Sequence, residues 1–274
     1  LYNVIEYKSE YFIDKMHFNE TGCEKFSEIL KTKIVLPKSF KFKQAKDLIR
    51  IGKDNDGGYL ISKKDLLKSD FLLSLGIYDD WSFEKDFIKK NKIPLHAYDA
   101  SLNYKFLIKL KISIIDKIKK IFSYKNFFKG NNIHFRKFIG INNNKEGFCT
   151  LSSVLKDLEF KAIFLKIDIE GSEYRILDSI ISNHQKLSGL VIEFHDCDIN
   201  LSKIEWFIKN FNLKLVHIHA NNHGLYDLDK KIPLVLELTF SQYCELKDQL
   251  DLPHPLDMRN DNNREEINLE FLRY

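Results

Sequence analysis

LKIDIEGSEY, residues 165–174, is the stretch on which the fold turns. Its first half is apolar and reads as a buried strand. Its second half places Asp168, Glu170 and Glu173 around Gly171. Acidic side chains are rarely buried unless they are paired. Three of them at the mouth of an apolar strand need partners or a chemical role.

Working outward, short apolar runs alternate with amphipathic stretches. FLLSLG (71–76), IPLHAYD (93–99), IHFRKFIGI (133–141), AIFLKID (162–168), GLVIEFH (189–195), LKLVHIH (213–219) and PLVLELTF (233–240) read as strands. SFEKDFIKKN (82–91), TLSSVLKDL (150–158), SEYRILDSII (172–181) and LSKIEWFIKN (201–210) read as helices, the first capped by Asp79, Asp80 or Ser82. This alternation predicts a parallel sheet covered on both faces. The last two strands lack a helix between them and are expected to be antiparallel. Ligands in such sheets bind beyond the carboxyl ends of the strands. Gly76, Asp99, Asp168, His195 and His219 all fall there.

The chain has 274 residues, of which 44% are hydrophobic and 30% charged, enough for one large α/β domain. A net charge of +4 is too mild to argue for nucleic acid. No run of 18 apolar residues predicts a membrane span, and no signal-peptide pattern opens the chain. The four cysteines are widely spread, without zinc spacing, which reads as reduced thiols in a cytoplasm. The chain opens on Leu1 rather than Met, so a start further upstream is expected. The lysine-, isoleucine- and asparagine-rich composition suggests an AT-rich bacterial genome.

Residues 104–130 hold eight lysines and one acid, Asp116. Phe106, Leu110, Ile114, Ile118 and Ile121 form a helical stripe. One reading is a core-facing helix with a solvated lysine face. The other is a basic patch facing an anionic substrate or a membrane surface.

Gly76 closes one strand, where the missing Cβ admits a ligand close to the backbone. Asp99 ends the next, where a carboxylate can accept both hydroxyls of a ribose. The GxGxxG fingerprint for a dinucleotide pyrophosphate is absent. A nucleoside cofactor without phosphates fits better, and S-adenosylmethionine is one.

DGGYLI (56–61), LLSLGIYDDWSFE (72–84), LHAYDAS (95–101), TLSSVL (150–155) and LKIDIEGSEYRIL (165–177) together resemble the FkbM-type class I methyltransferases. IEFH (192–195) and HIHANN (217–222) match a branch with an E-x-H strand and a late HxHxNN loop. The resemblance covers residues 36–274. It implies a doubly wound, Rossmann-like sheet of order 3-2-1-4-5-7-6 with the last strand antiparallel. It further implies S-adenosylmethionine-dependent O-methylation, often of a sugar or glycan precursor such as those of cell-surface polysaccharide. Gly76 and Asp99 would then hold the cofactor, with Asp79 and Glu84 as further candidates. A transferred methyl requires removal of the acceptor's hydroxyl proton. Asp168 and His195 are candidates for that acceptor, with Glu170 beside them. Glu173 reads as a first-turn stabiliser of the following helix.

Glu193, His195, His217, His219 and Glu237 suggest a buried pairing network, with Lys166 neutralising one of its acids. A divalent metal on Asp168, His195 and His219 is an alternative. Non-catalytic binding of a glycan or nucleoside is the other class of function left open. Residues 1–35 form a separate appendage. There YFIDKMHFNETGCEKFSEIL (11–30) resembles the last block of SGNH (GDSL-type) hydrolases, with Asp14 and His17 as the Asp-x-x-His pair and Asn19 and Gly22 also matching. A bifunctional hydrolase–methyltransferase would follow from that, although the serine and oxyanion blocks are missing; a capped helix led by Asn19 or Thr21 is the plainer alternative.

Overall fold

A computed structural model describes residues 34–142, 146–223, 226–227 and 232–271. The hydrolase-like segment with Asp14, His17, Asn19 and Gly22 lies outside the described residues.

Seven strands form the central sheet: β1 (Phe71–Leu75), β2 (Leu95–Tyr98), β3 (Asn132–Phe135), β4 (Ile163–Ile167), β5 (Leu187–Phe194), β6 (Lys214–Ala220) and β7 (Leu236–Ser241). Their spatial order is β3-β2-β1-β4-β5-β7-β6, the 3-2-1-4-5-7-6 order expected. β7 runs antiparallel to both β5 and β6, and the other neighbours are parallel. This is the Rossmann-like methyltransferase sheet. The order reverses at β1, which pairs with β4 on one side and β2 on the other.

The strands are apolar on both faces because both faces are covered. Leu73, Leu165 and Ile192 belong to one core, and Leu72, Phe164 and Val191 to the other. Seven helices accompany the sheet among the described residues: α1 (Lys63–Lys68), α2 (Ser82–Lys90), α3 (Tyr104–Lys109), α4 (Ile114–Phe127), α5 (Leu151–Asp157), α6 (Leu177–Ser182) and α7 (Cys197–Asn210). None of the cap candidates for α2 is its N-cap, which is Trp81 without a side-chain cap bond; Asp80 Oδ1 accepts from the Ser82 backbone N–H at 3.0 Å.

Three expectations change. The strand expected over 133–141 is two strands, β3 and a separate Phe138–Gly140 that pairs with Phe148–Thr150. The helix expected over 172–181 is a 3-10 turn, Glu173–Arg175, followed by α6. The stripe over 104–130 is interrupted: Leu110 leaves helical geometry, and Ser113 caps a new helix by accepting from the Asp116 N–H at 3.1 Å. The restart changes the helical phase. Phe106, Leu110 and Ile121 pack against the core, whereas Ile114 and Ile118 are 76% and 50% exposed.

A short parallel pair joins Ile34–Leu36 to Leu269–Phe271. The boundary expected at residue 35 falls within this strand.

Candidate active site

A cavity of about 730 Å³ lies beyond the carboxyl ends of β1, β2 and β4. Gly76, Asp99 and Asp168, one from each strand end, share its wall with Asp79, Glu84 and Glu170. Of the expected site residues, His195 and the metal candidate His219 do not line it.

Gly76 adopts φ +79, and a Cβ there would overlap the carbonyl oxygen of Asp168. Two strand ends therefore approach so closely that only glycine fits. The Lys166 ammonium donates to the Gly76 carbonyl at 2.5 Å and lies 3.4 Å from Asp168.

Asp99 organises the loop after β1. Its Oδ2 accepts from the N–H groups of Ile77 and Tyr78 at 3.0 and 2.7 Å. Its Oδ1 accepts from the Ser101 hydroxyl at 2.5 Å, and from the Ser101 and Leu102 N–H groups at 2.7 and 3.3 Å. Burial pushes its carboxyl up, but these bonds outweigh burial and hold it below the usual carboxylate range. A ribose hydroxyl would have to displace an existing donor, and the rotatable Ser101 hydroxyl is the one that can leave. Asp79 pairs with Lys120. Glu84 is buried and accepts from the Ser74 hydroxyl at 2.5 Å, and burial pushes its carboxyl up. Glu84 is thus a supporting group behind the loop.

The three carboxylates of the opening stretch part ways. Asp168 faces the cavity. Glu170, at φ +54, turns outward with its side chain 85% exposed. Glu173 is fully buried, and its Oε1 accepts from the N–H groups of Ile169 and Gly171 at 3.0 and 3.2 Å. Glu173 therefore ties down the turn that carries Asp168, which is more specific than the dipole role expected of it.

Glu173 also lies 3.1 Å from Nδ1 of His195. On its other side, Nε2 of His195 is 3.5 Å from both Glu193 and Glu170. Burial alone would lower the His195 pKa. The Glu173 hydrogen bond and the Glu193, Glu173 and Asp168 charges prevail and push it up to about 9. That pKa favours the imidazolium form beside these carboxylates.

Tyr59, in the strand Tyr59–Ser62, escaped the sequence reading although its segment DGGYLI was singled out. Its buried hydroxyl donates to Glu193 at 2.9 Å and lies 3.3 Å from Asp168. Glu193 is pushed well above the usual carboxylate range by burial and by the neighbouring Asp168 and Glu237. Lys166, which burial alone would lower, is raised instead by Asp168, Glu84 and Glu193.

The expected buried pairing network is present. The antiparallel register sets Glu193 opposite Glu237, and Glu237 opposite His219. His219 bridges Glu237 at 3.1 Å and Glu266 at 2.9 Å, while His217 meets Asp257 at 2.9 Å. His219 is thus committed to the C-terminal tail and does not join Asp168 and His195. The trio that does converge is Asp168, Glu193 and His195, whose potential ligand atoms lie within 4.8 Å of one another.

No family model and no curated protein matches this sequence. Solved structures do share its fold. The fibrillarin pre-rRNA processing protein of Methanococcus jannaschii aligns at 11% identity over 66% of this chain and 70% of its own, with a TM-score of 0.36. An rRNA methylase from Streptococcus thermophilus aligns at 9% identity over 66% and 93%, with a TM-score of 0.37. A Pyrococcus abyssi tRNA (uracil-54, C5)-methyltransferase, solved with S-adenosyl-L-homocysteine, aligns at 13% over 71% and 44%, with a TM-score of 0.34. Likeness at this level carries no argument about activity. The strand order defines the fold without it.

Proposed function

We propose that this chain is an S-adenosylmethionine-dependent O-methyltransferase of FkbM type that acts on a hydroxyl of a sugar or glycan precursor. The observation that carries the reading is the convergence of Gly76, Asp99 and Asp168 on one cavity at the point where the strand order reverses. Such switch points are where doubly wound sheets bind nucleoside cofactors. A volume of about 730 Å³ lies within the range of small-molecule sites. The acidic loop anchor Asp99, beside the close approach of Gly76 to the Asp168 carbonyl, suits an uncharged ribose rather than a pyrophosphate.

The cofactor supplies a methyl group on a positively charged sulfur. The chain's own residues position the acceptor and take its proton. Asp168 is the proposed proton acceptor: it faces the cavity and is steadied by Lys166 and Tyr59. His195, already protonated, orients the acidic cluster and balances its charge. Glu170, at the rim, contacts the acceptor. The proposed methyltransferase domain takes in the strand Ile34–Leu36, which pairs with Leu269–Phe271, so it begins at or before residue 34.

A second reading rests on the Asp168–Glu193–His195 trio. The Glu173 carboxylate on the far nitrogen of His195 resembles the outer-shell carboxylate that orients metal-bound histidines. Asp168, Glu193 and a neutral His195 would hold a divalent ion there, which would supply Lewis-acid activation of the acceptor hydroxyl while a base still takes its proton.

The test is transfer of labelled methyl from the cofactor to a panel of sugar nucleotides and glycan precursors, run beside calorimetry with S-adenosylhomocysteine. Binding with no transfer leaves the non-catalytic class standing. No binding at all removes the cofactor assignment.

A further inference from the structure

Among the described residues, the surface built by α3, α4 and the link between them gathers several exposed apolar side chains. Ile108, Ile112, Ile114, Ile115, Ile118 and Phe122 are 58%, 40%, 76%, 65%, 50% and 63% exposed. No residue of α4 is fully buried. With about 100° between successive residues, Ile114, Ile115, Ile118 and Phe122 share one arc of α4 about 100° wide. Ile121, Tyr124 and Phe127 fill the adjoining arc and pack against the core. The apolar arc is therefore a second, outward face. Single exposed apolar residues need no explanation, but a contiguous patch of them does.

The charge around the patch is of one sign. Lys105, Lys109, Lys111, Lys119, Lys125 and Lys129 are exposed along this segment. Its one acid, Asp116, hydrogen-bonds to the Ser113 hydroxyl at 2.6 Å and sits 3.9 Å from Lys119.

We infer that this face docks on an anionic lipid surface, with the isoleucines and Phe122 in the headgroup–acyl boundary and the lysines on the lipid phosphates. An apolar arc flanked by lysines is the pattern of interfacial helices. Each lysine near an anionic leaflet adds attraction that fades within a Debye length. Nucleic acid fits less well, because single strands are gripped by exposed aromatic stacking platforms and this arc is mostly branched aliphatic. The patch adjoins the cavity wall: Phe106 of α3 packs on Tyr78 with ring centroids 4.9 Å apart, and Lys120 of α4 pairs with Asp79. The inference does not depend on the methyltransferase reading, since it concerns only this surface.

The experiment is co-sedimentation of the full chain with vesicles of phosphatidylcholine alone or mixed with phosphatidylglycerol. Binding should favour the anionic vesicles by at least about tenfold and weaken with salt. Two double variants separate the contributions: Ile115→Asp with Phe122→Asp for the apolar arc, and Lys109→Glu with Lys111→Glu for the charge. All four positions are exposed, so circular dichroism should match the parent. Each double variant should lose about tenfold or more in vesicle binding. Equal binding to both vesicle types, no binding to either, or double variants that bind as the parent does would overturn the inference. So would light scattering that shows a dimer dissolved by Ile115→Asp, which would make a second copy the occupant. Binding of an RNA oligonucleotide through these lysines in the absence of vesicle binding would also overturn it.

Discussion

Replacing His195 by glutamine in metal-free protein removes an imidazolium that four carboxylates face: Glu173, Glu193, Glu170 and Asp168. Its pKa rises from 6.5 to about 9 on folding, and its side chain is 16% exposed. A raised pKa means that the folded state holds the proton more tightly than the unfolded chain does. That stabilisation is complete below pH 6.5 and is lost as the pH climbs through about 9. Its size is about 3 kcal/mol, at about 1.4 kcal/mol for each tenfold change in proton affinity. Urea denaturation of parent and His195→Gln, at about pH 6 and about pH 9.5 with chelator present, measures it. Taking the difference between the two proteins cancels groups remote from His195, while Glu193, which shares protons with it, contributes to the same difference. The gap should shrink by about 3 kcal/mol between the two pH values. A gap that stays constant would mean that His195 is neutral at pH 7 and free to act as a base. A second readout points the same way. If Asp168 takes the proton, methyl transfer should show no rise between about pH 7 and 9; a base at His195 would produce one.

Asp168→Asn should fold, bind S-adenosylhomocysteine normally and lose ~10²–10⁴-fold in methyl transfer; near-parental turnover would remove Asp168 from the chemistry. Asp99→Ala should weaken S-adenosylhomocysteine by at least about 2 kcal/mol, because the Ile77–Tyr78 loop loses its anchor as well as any ribose contact. Ser101→Ala, read by the same calorimetry, should bind as well as or better than the parent if a ribose hydroxyl replaces the Ser101 hydroxyl. If the metal reading holds, Mn²⁺ titrated into the apoprotein should bind more tightly as pH rises, since it must displace the His195 proton, and His195→Gln should abolish that binding. Trimming the chain to begin at Ile34 should preserve cofactor binding, whereas removing Ile34–Leu36 strips the pairing with Leu269–Phe271 and should lower thermal stability.

The strands and the antiparallel pairing of β7 were legible because buried strands are written as apolar runs and no helix separates the last two, whereas the spatial order came from the resemblance to the methyltransferase family. Gly76, Asp99 and Asp168 were legible because they sit where those runs stop. The state of each side chain was not legible. Nothing in the order of residues says that Asp99 already accepts five hydrogen bonds, or that Glu170 faces out while Glu173 is buried. Glu170 and Gly171 both take positive φ, and that reversal decides which carboxylate faces inward. Tyr59 was missed because its strand lies outside the central sheet and its partners are more than 100 residues away; the DGG turn ahead of it was the available signal. The α3–α4 stripe misled because periodicity assumes an unbroken helix, and the cap at Ser113 shifted its phase.

The answer to the crowding of acids lies across the sheet rather than along the chain. Asp168, Glu193 and Glu237 descend from adjacent strands β4, β5 and β7, with the Tyr59 hydroxyl donating to Glu193 and lying 3.3 Å from Asp168. The cations against them are Lys166, His195 and His219. Each of the three is held protonated beyond its ordinary range by these same acids, and Glu193 is driven toward its neutral form by them. Such a coupled cluster exchanges protons as a unit. An acceptor hydroxyl brought to Asp168 can therefore hand its proton into a network that already shares protons among several groups, without any one of them becoming an isolated buried charge. Tyr59→Phe isolates this point. It leaves Asp168, Lys166 and His195 in place but removes the one hydroxyl that joins Asp168 to Glu193. A drop in turnover with S-adenosylhomocysteine affinity unchanged would support proton sharing through the cluster. Turnover at the parental level would confine the chemistry to Asp168 and Lys166.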